Sequence, residues 1–328
     1  MAYQICSVAT QTPVDNYAPP EDDGADDTTE PGDDQMTKSA ETAASTLPAA
    51  SVVIIRNGMP QGFKAGGKVG GQSSGNSDLR NPGGLEVFML ERHQGSGQTF
   101  AGAFVFPGGK VDAEDAAPGW NALLAAPPPA MPERAFWIAA VRETFEEAGL
   151  LIARRPGAAG LIGAADAKRL VAAERGQPRK GQSARFAAMI AHEKLLLATD
   201  HMIHFGHWIT PTWQPKRFDT HFFLSPAPLE QSENFDRGES AEGVWITPIE
   251  ALAQADAGQR TLVAVTRCTL ELLATWASVE EAVAAARKRK IIKVQPYMAE
   301  TSSGRVLRIP VEAGYVRSEL PVPAVQKK

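Results

Sequence analysis

The sequence predicts an α/β fold, and three observations predict it. Residues 49–56 (AASVVIIR) form a β-branched apolar run that reads as a buried strand. Residues 216–224 (KRFDTHFFL) alternate, with Arg217, Asp219 and His221 on one face and Phe218, Thr220 and Phe222 on the other, as a strand requires. Between these two, residues 132–148 (PERAFWIAAVRETFEEA) carry helix formers, a proline at the start and Gly149 just past the end, the usual punctuation of an α-helix.

At 100° per residue that helix places Ile138, Val141, Phe145 and Ala148 on one face. Glu143, Glu146 and Glu147 fall roughly opposite, spaced i, i+3, i+4. Like charges at this spacing destabilise a helix by a few tenths of a kcal/mol per pair. A hard divalent cation would remove the cost, because Mg²⁺ and Mn²⁺ favour oxygen ligands. A solvated acidic face is the ordinary reading of a bare Glu-Glu pair, so the surroundings must decide.

They do so upstream, where Phe106-Pro107-Gly108-Gly109 leads into Lys110-Val111-Asp112-Ala113-Glu114-Asp115. With Arg142-Glu143-Thr144-Phe145-Glu146-Glu147-Ala148-Gly149-Leu150, this resembles the signature of the Nudix hydrolases. Asp115 stands where that family has Glu, Thr144 where it has an apolar residue, and residues 116–134 form an insertion inside the motif. The insertion is rich in Pro and Ala, which suits a surface excursion. Further phrases, AGAFVFPGG, WITP and RFDTHFFL, make residues 49–255 similar to the Nudix branch that contains the coenzyme A diphosphatases of animal peroxisomes and related bacterial proteins.

The resemblance implies an α/β/α sandwich with a mixed curved sheet, helical insertions and C-terminal helices. It also implies metal-dependent hydrolysis of a diphosphate bond in a nucleoside diphosphate derivative. Coenzyme A or acyl-coenzyme A, giving 3′,5′-ADP and 4′-phosphopantetheine, is the first substrate class. ADP-ribose, a dinucleotide or a nucleotide sugar is the alternative, and a catalytically inactive Nudix ligand-binding module is the reading of a different class. By the same resemblance Glu143, Glu146, Glu147 and Glu239 hold Mg²⁺ or Mn²⁺, with Glu242 and Asp236 as rivals to Glu239. Arg142 orients a glutamate, Asp115 makes a contact behind the ligands, and one glutamate, left unassigned, acts as base. Gly108 and Gly109 let the backbone turn and approach the helix entrance. Two features fall outside the resemblance: residues 92–106 show no clear Ser/Arg/Gly coenzyme A pattern, and the C-terminus lacks a Ser-Lys-Leu address.

The remaining segments read as follows. Residues 1–48 are expected to be a disordered acidic tail, since the first 36 contain nine Asp or Glu and no Lys or Arg; Met36 is an alternative start. Residues 57–84 are a flexible Gly/Ser-rich loop that opens into a strand at 85–92, not a phosphate cradle opening into a helix. A third strand follows near 103–106. The Ala-rich stretch 151–200 is a helical insertion with segments at 164–175 and 183–197. His192, His201, His204 and His207 raise the question of zinc. Their spacing does not fit one helical face and no Cys accompanies them, so packing or hydrogen bonding to a neighbouring loop is the favoured reading. Thr247-Pro248-Ile249-Glu250 starts a helix by capping, and residues 259–328 supply further helices at 261–277 and 279–290. The Arg287–Lys290 cluster suits a helix C-terminus. The alternating runs from 291 to 315 form a hairpin on the domain or a homodimer element.

Composition limits the classes. Without the nine acidic residues of the first 36, 33 basic residues stand against 29 acidic ones. That balance suits an anionic small molecule and is too weak to argue for nucleic acid. No apolar run is long enough for a spanning helix, and there is no secretory signal. Two cysteines, Cys6 and Cys268, build no disulfide framework, so a reducing, cytoplasmic setting is the expectation.

Overall fold

A computed structural model describes residues 45–58, 84–92, 103–130, 132–174, 177–178, 181–228, 231, 240–302 and 304–321. The expected acidic tail up to residue 44, most of the long loop, Asp236, Glu239 and Cys6 lie outside the described residues.

In chain order the strands are β1 (Thr46–Asn57), β2 (Leu85–Arg92), β3 (Phe104–Val105), β4 (Gly108–Lys110), β5 (Ala153–Arg154), β6 (Leu196–Leu197), β7 (Ile203–Ile209), β8 (Arg217–Pro226), β9 (Ser240–Ile246), β10 (Lys293–Val294), β11 (Tyr297–Thr301), β12 (Gly304–Arg308) and β13 (Glu319–Pro321). The helices are α1 (Arg134–Ala148), α2 (Ala164–Glu174), α3 (Gln182–His192), α4 (Pro248–Asp256), α5 (Ala264–Leu273) and α6 (Val279–Lys288).

Eight strands form one mixed sheet. Its main path runs β10-β7-β8-β1-β2-β3, with β4 added to β1 and β9 to β2. β1 is the axis. It runs parallel to β8 from Thr46↔Arg217 to Ile55↔Pro226. Its other edge is shared: Ala49–Ser51 pair with β4, and Ile55–Asn57 pair with β2. The strand begins before the expected residue 49, because pairing with β8 already engages Thr46–Pro48.

The period-2 alternation sorts two apolar layers. Ala50, Val52, Ile54, Phe88, Leu90 and Phe223 face a core containing Ile138, Val141 and Phe145 of α1, with Leu170 of α2 and Phe186 of α3. Val53, Ile55, Val87, Met89, Phe222 and Leu224 face the opposite core, filled by α4, α5, α6 and the C-terminal strands. The result is the expected α/β/α sandwich. Leu307, Ile309 and Leu320 enter this second core, so the segment after 290 packs on the domain as a hairpin, β11 against β12, extended by β13.

Two expectations need adjustment. The insertion 116–134 runs largely over the surface but is pinned by Trp120, which is buried against Phe186 at 5.9 Å and donates to the Glu114 carbonyl. The second helix of the 151–200 insertion ends at His192, five residues early, because Lys194 adopts φ +52° and β6 then pairs with β5. At α4 the expected cap is present, Thr247 accepting from the Glu250 N–H. Arg287 and Lys288 lie in the last turn of α6. Arg289 is bound to the carbonyls of Ala313 and Gly314.

Candidate active site

The site forms where α1 crosses β4. α1 stops at Gly149, whose φ of +69° is one that L side chains rarely adopt and whose N–H donates to the Phe145 carbonyl. Almost every residue of α1 that does not face the site is buried, Thr144 included. Its hydroxyl donates to the Ala140 carbonyl at 2.8 Å, which is how a polar residue occupies an apolar position of the motif.

Arg142 organises the carboxylates. Its side chain is 2% exposed, and its guanidinium forms five hydrogen bonds. Nε and Nη2 grip Asp115 bidentately at 3.0 and 2.8 Å. Nη1 donates to Glu143 at 2.9 Å and Glu146 at 3.1 Å, and Nη2 also reaches the Lys110 carbonyl. The bidentate partner is therefore Asp115, not a glutamate. The short Asp side chain is completely buried and also accepts from the Asp112 N–H and the Ser183 hydroxyl, so it anchors Arg142 from behind.

Gly108 and Gly109 approach the C-terminal half of α1 rather than its entrance, and they do so as a strand, not a sharp turn. Gly108 donates its N–H to Glu147 Oε2 at 2.8 Å, while a Cβ on Gly108 would lie 2.4 Å from the Ala50 carbonyl oxygen. A Cβ on Gly109 would lie 2.4–2.5 Å from the carboxyl atoms of Glu143. Two glycines are needed because the backbone touches a strand on one side and a carboxylate on the other.

Burial raises the pKa of Glu146 to about 8, against the lowering effect of Arg142 and with Glu143 adding to the rise. Burial also raises that of Glu143, Arg142 again opposing. Among the described residues, Glu146 Oε1 is a buried oxygen without a hydrogen-bond partner. An orphaned carboxylate oxygen, a second carboxylate seated in a glycine cradle and an all-oxygen donor set fit a hard divalent cation. Glu239 lies outside the described residues, as does its rival Asp236. Glu242 pairs with Glu91 in the β2–β9 ladder.

Comparison with known proteins points to the same family. Residues 127–264 match the family model described as the NUDT19 Nudix domain. Those residues are similar to a Nudix domain. The chain is 31% identical to the acyl-coenzyme A diphosphatase NUDT19 of Gallus gallus, over 51% of the chain and 55% of the relative. It is 30% identical to putative nudix hydrolase 7 of Caenorhabditis elegans, over 54% of the chain and 51% of the relative. The chain thus spans about half the length of the curated relatives it matches. A NUDIX hydrolase structure from Alicyclobacillus acidocaldarius shares the fold, with TM-score 0.55 and 22% identity over 73% of this chain and 96% of that one. The family match begins inside the insertion, so the glycine half of the motif joins the helix half only through the geometry above.

A second polar group lies on the same sheet face. His204 and His207 are strand residues of β7 that pack and bond within the sheet rather than to a loop, and His201 bonds to the carbonyl of Pro226 at the end of β8. His207 pairs across the ladder with His221, their rings stacked 4.0 Å apart. Asp219 accepts from His207 at 2.6 Å. Burial holds His204 down to about 4 and His221 to about 3, with the charge of His207 adding to both. Among the described residues no helix is long and apolar enough to cross a membrane.

Proposed function

We propose that this Nudix domain hydrolyses the diphosphate bond of a nucleoside diphosphate derivative, with coenzyme A or acyl-coenzyme A as the substrate class. The observation that carries the chemistry is Glu146 Oε1, buried and unpartnered beside Arg142. Relatives named acyl-coenzyme A diphosphatase support the substrate class.

In this reading Glu143 and Glu146 would hold Mg²⁺ or Mn²⁺, and Glu147 fixes the Gly108 backbone at the edge of the same site. When bound, such an ion would supply neutralisation of the phosphate charge and acidification of a water. Arg142 sets the positions of Glu143 and Glu146 and keeps its charge through Asp115. The Gly109 cradle keeps any side chain out of the space the Glu143 carboxylate occupies. Metal-free Glu146, raised to about pKa 8, holds a proton near neutral pH that a cation would displace on binding. The products from coenzyme A are 3′,5′-ADP and 4′-phosphopantetheine, and a reducing, cytoplasmic setting is part of the proposal.

Turnover of coenzyme A, acyl-coenzyme A, ADP-ribose, NADH and nucleotide sugars with Mg²⁺ tests this. We expect the coenzyme A species to give the highest kcat/KM and Glu146→Gln to lower kcat by at least about a hundredfold. Full turnover by Glu146→Gln would refute the site, and preference for ADP-ribose would refute the substrate class alone.

A further inference from the structure

We infer that His207, Asp219 and His221 form a second metal site, selective for a zinc-class divalent ion and separate from the glutamate site. The ligand atoms of these three residues all lie within 4.8 Å of one another. They come from adjacent antiparallel strands, with His207 directly opposite His221 and Asp219 two residues along β8 on the same face. Residues paired across a ladder are fixed by the backbone, so the three side chains start as neighbours, and the stacked His207 and His221 rings tilt apart to aim two nitrogens at one ion.

The chemistry of the set selects the ion. Two imidazoles and one carboxylate are the ligands of open zinc sites, whereas Mg²⁺ takes oxygen and keeps its waters. A tetrahedral ion with bonds near 2.0–2.1 Å places its ligands about 3.3 Å apart, within the observed envelope. The ion takes the place of the hydrogen bond between His207 Nε2 and Asp219 Oδ1, 2.6 Å long, and opens that contact slightly.

The surroundings orient the ligands. His221 Nδ1 lies 2.9 Å from His204 Nε2, which leaves His221 Nε2 for the ion and makes His204 the partner that sets its ring. Phe136 of α1 packs edge-on against the His221 ring at 4.4 Å and walls one side of the group. On the other side Asp219 is 32% exposed and His207 18%, so the fourth position opens to solvent. A water or an anionic oxygen fills it.

Placement gives the site its interest. His221 pairs with Ala50 of β1, and Ala50 pairs with Gly109 of β4. With strands 4.7–4.9 Å apart, the zinc-class site stands about 10 Å across the sheet from the Glu143 cradle. Both project from the face that carries α1.

The full chain, stripped with a chelator and then held in millimolar Mg²⁺, is titrated with Zn²⁺ by calorimetry and with Co²⁺ by visible absorption. We expect one Zn²⁺ per chain that Mg²⁺ does not displace, and a Co²⁺ spectrum of low-symmetry imidazole coordination. His207→Ala and Asp219→Asn should each weaken Zn²⁺ at least tenfold, and His204→Ala less. The metal-free melting temperature of each variant controls for folding, and Asp219→Asn, isosteric and part-exposed, carries the test if His207→Ala does not fold. Cu²⁺ bound to the wild-type chain should show two imidazole nitrogens in its electron paramagnetic resonance spectrum, independently of any variant. Absence of Zn²⁺ binding in Mg²⁺, equal binding by wild type and Asp219→Asn, or a nitrogen-free Cu²⁺ signal would each overturn the site. Loss of turnover by Glu146→Gln leaves these readouts unchanged, so the two sites succeed or fail separately.

Discussion

Burial pulls the Arg142 pKa down, but Asp115, Glu143 and Glu146 surround it and raise it above the ordinary arginine value. Removing one partner of a buried ion pair leaves the other uncompensated, typically at a cost of about 3–5 kcal/mol. Arg142→Ala is therefore expected to destabilise the chain by that order in denaturant unfolding and to lower turnover as Glu143 and Glu146 lose their common donor. Glu146 gives a pH prediction with a defined sign. Its folded-state pKa, about 8, exceeds the ordinary 4.5, so the metal-free folded chain binds the proton more tightly than the unfolded chain does. This contribution to stability is complete below pH 4.5, falls as pH rises towards 8 and is lost above it. Glu146→Gln should thus raise the melting temperature of the metal-free protein at pH 9 and leave it nearly unchanged at pH 4.5. A tenfold difference in proton affinity between the folded and unfolded chains corresponds to roughly 1.4 kcal/mol, so a few kcal/mol is the upper bound. Mg²⁺ affinity should rise over the same window, because the cation must displace the proton.

At the scale of elements, the insertion that splits the motif is held by one aromatic side chain. Trp120 touches Phe186 of α3, and Phe186 in turn touches Phe145 of α1 at 5.7 Å. The two insertions are thereby packed on the back of the glutamate helix, where Ser183 also reaches Asp115. Trp120→Ala is expected to cost about 3–5 kcal/mol in chemical denaturation, with a smaller loss of turnover than Arg142→Ala. The Pro/Ala composition of residues 116–134 conceals this anchor, because a single buried Trp barely changes an average. Helix α1, in contrast, was legible from its residues: the 3.6-residue period, Pro132 and Gly149 bound it to within two residues of Arg134–Ala148. Those periods reflect local geometry, which is why they survive without tertiary information.

For the whole molecule, the sheet is closed on both faces by distant parts of the chain. Leu307, Ile309 and Leu320 share a core with Val53, Val87 and Phe222. A chain ending at residue 290 should expose that apolar face, lower the melting temperature and associate in light scattering, whereas a tail packed elsewhere would leave all three unchanged. The alternation of residues 291–315 foretold a hairpin, but nothing local could say which face it covers.

The residues alone determined β1, β2 and β8, the glutamate helix and its cap at Gly149, because each follows from side-chain period and backbone preference over a few neighbours. Only the tertiary structure decided that Arg142 clasps Asp115, that Gly109 lies against Glu143, and that His207 stands opposite Asp219 and His221. Those contacts join residues 12 to 34 positions apart, and helix packing on the sheet and strand register, which no short stretch of sequence encodes, set them.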